Sequence, residues 1–497
     1  MESRQRKPLS RRDMLRLAGS AAGVTAIGSI LAACGSPSTS NTAPPTAAAG
    51  GAPTAAAAGA PTAAAAGAPT AAAAGAPTAA AAGGAAATEA PSPTPVVAQV
   101  FGSDQAKVKI RYWTILGSVD GIVMNDLVKK FSVENPDIAV ESLQGLTDFI
   151  QKMEAASISG TAPDVALVRH TYIGPFVDKN ILTPIDAGEL DVAGIKAPDF
   201  DPTVWNFTQY QGKQYTVPLD IHCHAMVYNK KILSDNGLQV PTTHDEWLAA
   251  VKKVTTGDTI GYNTFALGAG AQEFMTWYIF GIWKQYGVDM ISADGKKAAF
   301  NTPDGILATK WMQEMQAAGN PKNAPTGDLQ RTGKVASWAD GPWISTLYFD
   351  PTKAPAAPDI DVAPLPQRDP NKKAVWGQSH QFSLPTQGSP DPARRAAAFK
   401  FIKWVGQHSV DWAKAGQVPA HNAARQEALT SDNVYLKKLQ TWASELPYVA
   451  FMPPHPKLLE VMPRIAANVE GTMLAGLTVE DALKKAEDEV NAILAEA

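Results

Sequence analysis

Hydrophobic and polar positions alternate along Val108–Thr114 in the way that predicts a β-strand. Apolar runs at Ile138–Leu143 and Val165–Val168 predict two more strands, the second of them short and buried. The intervening segments Asp126–Glu134 and Asp148–Ser159 have the amphipathic spacing of helices. Strands that alternate with helices predict an α/β fold built on a mainly parallel sheet.

Three later segments also have helical spacing. Pro241–Val254 contains Thr243 as a candidate N-cap and Glu246 three residues later, which is a capping-box pattern. Ala393–Gly406 and Val479–Leu494 are amphipathic, and the second has acidic residues in its first turn, where the helix dipole favours them. The foldable part therefore begins near residue 105, and a chain of that size usually divides into two lobes.

Residues 1–33 have the layout of an export signal. Basic residues dominate the first 16 positions, Arg11 and Arg12 lie in a pattern that resembles the twin-arginine export motif, and the uncharged run Leu17–Ala33 follows. The run is marginal for spanning a membrane. Leu31–Gly35 resembles a bacterial lipobox, which predicts lipidation of Cys34. The general secretory route is the alternative for export, and a chance cysteine is the alternative for the lipobox.

Residues 34–104 are predicted to be a disordered linker. Pro-Thr pairs recur every eight residues from position 45 to position 77, in an Ala-rich and Gly-rich context. The proline and the glycine of each repeat prevent a continuous helix, and the segment has no apolar face to bury. We expect a tether that holds the folded part away from a membrane surface, although a spacer of no selected length fits the pattern equally well.

Charge and motifs exclude several classes of function. The chain has 43 basic and 47 acidic residues, without the basic excess typical of nucleic-acid-binding domains. Two cysteines cannot form a disulfide framework. Nucleophile-elbow, zinc-protease and phosphate-loop motifs are missing from the sequence, so we expect no enzyme and no cofactor. A secreted hydrolase is the enzyme alternative, but Asp359 and Asp361 are more typical of a solvated turn than of a glycosidase pair.

Five segments, in order along the chain, resemble family 1 extracellular solute-binding proteins, the maltose- and oligosaccharide-binding type that serves ABC importers. They are Ser159–Val168, Val217–Lys230, Val335–Trp343, Val362–Gln367 and Leu474–Leu483. The resemblance implies an α/β fold of the periplasmic-binding-protein type II, with two lobes, a hinge and an interlobe cleft for the solute. It implies lobe 1 at 105–220 plus 381–447 and lobe 2 at 221–380 plus 448–497. The chain would cross between the lobes near Asp220–His224, Gln378–Gln381 and Pro447.

The same resemblance implies partners and a location. The ligand would be a sugar or oligosaccharide, and the protein partners would be the permease subunits of an ABC transporter. The protein would be a monomer on the outer face of the cell membrane, anchored through Cys34, with no nucleic-acid partner.

Aromatic candidates for the cleft follow from the chemistry of sugars, which present apolar faces as well as hydroxyl groups. The chain contains 12 tryptophans and 11 tyrosines. Trp343 lies where maltose-type proteins carry a tryptophan that stacks on a sugar ring, so the resemblance implies a ligand platform there. Trp338, Trp376 and Phe274 are further candidates, with Trp277 just behind Phe274. Core packing is the alternative for each tryptophan.

Polar candidates lie on the first crossing strand and after the early strands. His222 falls where the family has a polar ligand contact, and two-residue alternation puts Asp220 and His224 on the same face. A buried structural histidine is the alternative for His222. Residues at the carboxyl ends of strands also become candidates, since open α/β sheets bind ligands there. The remaining polar candidates are Ser118, Asp120, His170, Thr171, Tyr172, Glu273, Gln378 and His380.

Two observations limit the identity of the ligand. His222 and His224 could bind a metal, but Cys223 would face the opposite way and no further ligands stand out, so we expect no metal site. Pro463-Arg464 replaces a second stacking tryptophan of the maltose type, which favours a sugar other than maltose. The alternative is a receptor of the same fold for a polyamine, an organic anion or a metal chelate. Several carboxylates in the cleft would favour a polyamine, and clustered arginines would favour an anion.

Overall fold

A computed structural model describes residues 98–146, 148–387 and 390–496 of the chain. The predicted signal segment 1–33, Cys34 and the predicted linker as far as residue 97 lie outside the described residues. Within the described ranges, the helices are too short or too polar to cross a membrane.

Strands and helices alternate along the described chain. The strands are β1 (Gln99–Phe101), β2 (Val108–Thr114), β3 (Ile138–Leu143), β4 (Val165–Arg169), β5 (Gln209–Tyr210), β6 (Lys213–Gln214), β7 (Thr216–Pro218), β8 (Asp220–Cys223), β9 (Ala225–Asn229), β10 (Ser337–Asp340), β11 (Ile360–Ala363), β12 (Val375–Gln378), β13 (His380–Ser383), β14 (Val418–Pro419) and β15 (Val449–Phe451). The α-helices are α1 (Ser118–Glu134), α2 (Phe149–Ile158), α3 (Ile173–Asp178), α4 (Ala187–Ala193), α5 (Pro202–Asn206), α6 (Lys230–Asp235), α7 (His244–Val254), α8 (Gln272–Gln285), α9 (Pro303–Gly319), α10 (Gly327–Arg331), α11 (Ser345–Tyr348), α12 (Pro392–Gln407), α13 (Ser409–Trp412), α14 (Asn422–Thr430), α15 (Val434–Ser444), α16 (Leu458–Leu474) and α17 (Val479–Leu494).

Lobe 1 is built on a six-stranded sheet with the order β1-β3-β2-β4-β13-β7. The pairs β2–β3 and β2–β4 are parallel, as the alternating pattern predicts, whereas β1, β13 and β7 pair antiparallel with their neighbours. The sheet is therefore mixed, because the late strand β13 returns from a distant part of the chain. Since β1 pairs with β3, the sheet begins at Gln99, before the lobe boundary expected at residue 105.

A second, four-stranded sheet contains the segments where the chain was expected to cross between lobes. Its order is β14-β8-β12-β15, and β8 and β12 pair antiparallel through Gly377 with Cys223 and Gln378 with His222. Lobe 2 contains the antiparallel sheet β10-β9-β11 and is covered by α8, α16 and α17. We call the four-stranded sheet the crossing sheet. Its strand β8 follows β7 of the lobe 1 sheet and leads directly into β9 of the lobe 2 sheet, so it joins the two.

The helix starts are explained by local sequence. Thr243 and Glu246 form the predicted capping box of α7, and Thr478 caps α17 by accepting a hydrogen bond from the backbone of Asp481. Helix α1 starts at Ser118, eight residues before its predicted start at Asp126. This earlier start places the first turn of α1 directly after β2, at the edge of the lobe 1 sheet where ligands bind in open α/β folds.

Candidate ligand-binding site

A cavity of about 450 Å³ lies between the two lobes, beside the crossing sheet. This interlobe cavity has a polar wall from lobe 1, an aromatic wall from lobe 2, and a floor from the crossing strands. Its lining residues are Gly117, Ser118, Val119, Asp120, Arg169, His222, Phe274, Trp277, Trp343, Thr346, Leu347, His380 and Gln417.

The polar wall is the first turn of α1. Ser118 begins the helix with a left-handed backbone, φ 48°, which turns the chain sharply after β2. Asp120 follows, and its carboxylate accepts a hydrogen bond of 3.3 Å from Nε2 of Gln417. Burial raises the pKa of Asp120 to about 6, although His380 nearby lowers it. The carboxylate therefore faces the cavity with a single long protein hydrogen bond, ready to accept hydrogen bonds from a ligand.

The aromatic wall is built from Trp343, Phe274 and Trp277. Gly341 allows the Trp343 ring to fold back over the turn, since a Cβ at position 341 would lie 2.0 Å from that ring. The Trp343 ring is 6.1 Å from the ring of Trp277 at an angle of 64°. Trp277 in turn stacks on the fully buried Trp376, with centroids 4.5 Å apart and planes 14° from parallel. This wall is a rigid apolar surface of the kind that carries binding energy at ligand sites.

Three residues at the floor of the cavity, His222, His380 and Trp412, converge on the buried carboxylate of Asp220. It accepts hydrogen bonds from the backbone N–H of His380 at 2.7 Å and from Nε1 of Trp412 at 2.8 Å. Nδ1 of His380 lies 2.8 Å from one carboxylate oxygen, and Nδ1 of His222 lies 3.4 Å from the other. Burial would raise the pKa of Asp220, but His380 and His222 together hold it well below its usual value.

Asp220, His222 and His380 also form a group of potential metal ligands. Each offers one ligand atom, and these atoms lie within 4.8 Å of one another. The sequence paired His222 with His224 and missed His380, which is distant along the chain. The donor set fits a metal poorly, because the carboxylate of Asp220 already accepts N–H groups from two residues, and an ion would have to displace them.

An ion pair crosses the cleft beside the cavity. Nη1 of Arg169, at the end of β4 in lobe 1, lies 2.8 Å from Oε2 of Glu273, in the first turn of α8 in lobe 2. The same nitrogen donates to the hydroxyl group of Tyr172 at 3.0 Å. The guanidinium also lies 5.6 Å from the ring of Phe274 and 5.3 Å from the ring of Trp277. Arg169 therefore contacts both lobes at once.

Comparison with known proteins decides the family. The model of the bacterial extracellular solute-binding protein family matches residues 117–410, which is more than half of the chain. The chain belongs to this family. A maltotriose-binding protein of Pyrococcus abyssi is 26% identical over 308 residues, a match that covers 60% of this chain and 62% of that protein.

Two solved solute-binding proteins have the same fold. A cyclic α-maltosyl-1,6-maltose binding protein of Arthrobacter globiformis is 23% identical, has a TM-score of 0.65, and is matched over 78% of this chain and 99% of its own. A solute-binding protein of an ABC transporter from Thermotoga lettingae, solved with α-D-tagatose, is 24% identical, with the same TM-score of 0.65 and the same coverage of 78% and 99%. The expected two-lobed α/β fold is thus confirmed.

In this solute-binding protein, six of the candidate residues line the interlobe cavity. They are Ser118, Asp120, His222, Phe274, Trp343 and His380. Glu273 lies beside the cavity in the ion pair with Arg169, and Tyr172 supports that arginine from behind. Asp220 is fully buried below the floor. The binding roles of these residues stay predictions.

The other candidates lie in the core rather than on the cavity wall. His170 packs edge-on against Phe451, with ring centroids 5.0 Å apart, and burial lowers its pKa to about 3. Thr171 is fully buried, Trp376 lies behind Trp277, and Gln378 contacts His222 from behind at 3.4 Å. Trp338 packs against Tyr348 inside lobe 2. The expectation that these four residues and His170 face the cleft directly is not met, because they are buried in the core and none of them lines the cavity.

Sequence reasoning missed four lining residues. Arg169 was overlooked by a single position, because the strand β4 continues one residue beyond Val168 and its last side chain reaches the cavity. Its partner across the sheet in the β4–β13 register is His380, which also lines the cavity. Thr346 and Leu347 lie in the single-turn helix α11, and Gln417 lies in the connection before β14. Neither segment is long enough for a periodic signal, so only the three-dimensional arrangement reveals these residues.

Two further cavities are each lined by a single lobe. One of about 460 Å³ lies in lobe 2 beside Trp338 and Asp340. The other, of about 940 Å³, is a surface groove between α4 and α12 of lobe 1. Neither is lined by both lobes, so the interlobe cavity is the better candidate for a solute site.

Proposed function

We propose that this protein is the extracytoplasmic receptor of an ABC importer and that it binds a saccharide in the interlobe cavity. The observation that carries the proposal is that Asp120 and Trp343 face the same cavity from its two walls. A carboxylate accepts hydrogen bonds from adjacent hydroxyl groups, and an indole ring covers an apolar sugar face. A sugar ring presents both features at once.

The cavity chemistry supports binding rather than hydrolysis. Glycosidases generally need two carboxyl groups that flank the scissile bond. Among the described residues that line the cavity, Asp120 is the only carboxylate, and Asp220 lies buried behind His222 and His380. The similarity to a maltotriose-binding protein supports a carbohydrate ligand.

The mechanism we propose is closure of the two lobes around the solute. Contacts from both walls exist together only when the lobes are close, so a ligand that makes both sets of contacts shifts the population towards the closed state. The permease subunits would recognise that state. Export by the segment 1–33 and lipidation of Cys34 would hold the monomeric receptor at the outer face of the membrane, with residues 34–104 as the tether.

A thermal-shift screen of the purified protein tests the proposal. Mono- and oligosaccharides, polyamines, organic acids and zinc would be tested side by side. A ligand at 100 times its dissociation constant stabilises the folded state by about 2.7 kcal/mol, which a melting curve resolves. We expect stabilisation by a saccharide, and loss of that response in Trp343→Ala. A response to polyamines alone would contradict the proposal.

A further inference from the structure

We propose that the ion pair between Arg169 and Glu273 limits the length of the ligand, so that the cavity takes a monosaccharide or disaccharide and excludes longer chains. This inference rests on the proposed saccharide-binding function and names the size class of its ligand.

The Arg169–Glu273 pair forms a continuous bridge across the cleft. Arg169 is the last residue of β4 in the lobe 1 sheet, and Glu273 lies in the first turn of α8 in lobe 2. Their side chains meet at 2.8 Å, and only 18% and 25% of their respective side-chain surfaces are exposed. An extended saccharide cannot pass between the lobes at this position while the bridge is intact, because the ion-paired side chains of Arg169 and Glu273 fill the space.

Residues of both lobes hold the bridge in place. The hydroxyl group of Tyr172 accepts a hydrogen bond from Arg169 within lobe 1. The rings of Phe274 and Trp277 lie within cation–π distance of the guanidinium in lobe 2. A partly buried, multiply held ion pair is harder to displace than a solvent-exposed one, which contributes little on its own.

The guanidinium of Arg169 covers part of the aromatic wall. Trp277 and Phe274 continue the aromatic wall beyond Trp343, and such a surface would offer a platform for an additional sugar ring. Arg169 lies against both rings instead. The remaining cavity of about 450 Å³ falls in the lower half of the range of about 300–1,000 Å³ for small-molecule sites, which suits a short saccharide.

Removal of the bridge should therefore extend the site. The test uses isothermal titration of the full chain with maltooligosaccharides and chitooligosaccharides of one to seven units. The variants are Arg169→Ala and Glu273→Ala, which remove opposite ends of the bridge from different lobes, so that a folding defect in one leaves the other informative. Arg395→Ala is the matched control, since Arg395 and Glu189 form an Arg–Glu pair of similar exposure within lobe 1.

For the unmodified protein, we expect affinity for the best disaccharide to exceed that for the longer members of its series by about tenfold or more. Each bridge variant should reduce this ratio to about threefold or less, while Arg395→Ala should preserve it. Equal affinity of the unmodified protein for short and long chains would overturn the inference and leave the saccharide function standing. An unchanged ratio in both bridge variants would also overturn it. If no saccharide binds here or stabilises the protein in the thermal-shift screen, the proposed function fails first, and the inference fails with it.

Discussion

The two walls of the interlobe cavity differ in chemistry. The lobe 1 wall presents polar side chains, those of Ser118 and Asp120 in the first turn of α1 and that of Gln417 beside them. The lobe 2 wall presents Trp343 and Phe274, which are rigid rings supported by other rings. Under the proposed function, each lobe would recognise a different face of the saccharide, so neither half-site would be sufficient by itself.

The contrast has a structural origin. The lobe 1 wall lies at the carboxyl end of the parallel strand β2, where the chain must turn into a helix and polar groups become accessible. The lobe 2 wall comes from α8 and from the turn before α11, and the rings of both pack against the fully buried Trp376. Polar specificity and apolar binding surface are thus built by different parts of the fold.

The largest effect should come from Asp220, which lies below the floor between the two walls. Asp220→Ala leaves the N–H donors of His380 and Trp412 buried without an acceptor. We expect a loss of about 3 kcal/mol in the free energy of unfolding, measured by chemical denaturation. A loss below about 1 kcal/mol would mean that the Asp220 carboxylate does not hold the floor together.

The aromatic wall is tested by Trp343→Ala. Loss of a central aromatic ligand contact typically costs about 2 kcal/mol or more, so we expect saccharide affinity to fall by about 30-fold in isothermal titration. Trp404→Ala is the control, because Trp404 packs on α1 within lobe 1 and bonds Glu134 away from the cavity. Equal weakening in both variants would show that Trp343 acts through stability rather than through contact.

The polar wall is tested by Asp120→Asn. Hydrogen bonds to a charged acceptor contribute about 1.5–3 kcal/mol, so we expect affinity to fall by at least about tenfold. Asp126→Asn, on an exposed position of the same helix, should leave affinity unchanged. Loss of the aromatic platform without any effect of Asp120→Asn would mean that only one wall binds the ligand.

The smallest effect is the pH dependence. Burial raises the pKa of Asp120 to about 6, so the carboxylate becomes protonated as the pH falls through 6. Affinity for a saccharide that needs the carboxylate should decrease below that pH. The raised pKa has the opposite sign for folding: its stabilising contribution is fully present below the unfolded value of 3.8 and is lost as the pH rises through 6. Titration and melting at pH 5 and pH 7 measure both, and Asp120→Asn should reduce both dependences.

The sequence predicted the regular elements and part of the site. Strands such as Val108–Thr114 and capped helices such as α7 are encoded by local periodicity, so their positions follow from the pattern alone. Trp343 was predicted as a ligand platform because the segment Val335–Trp343 resembles the family. Arg169 and His380 were harder to predict as a pair, because strand β13 brings them together from positions more than 200 residues apart. In the sequence, Trp338 and Trp376 cannot be distinguished from a tryptophan that stacks on a sugar. Only the packing of the fold shows that both are buried.

The central claim is that one saccharide contacts both walls of the interlobe cavity. The most direct test is isothermal titration of the best saccharide into the unmodified protein, Trp343→Ala and Asp120→Asn, with melting curves to show that all three are folded. We predict that the affinity falls in both variants, by about 30-fold and by about tenfold respectively. An affinity within twofold of the unmodified protein in both variants would contradict the account, since the ligand would then bind elsewhere.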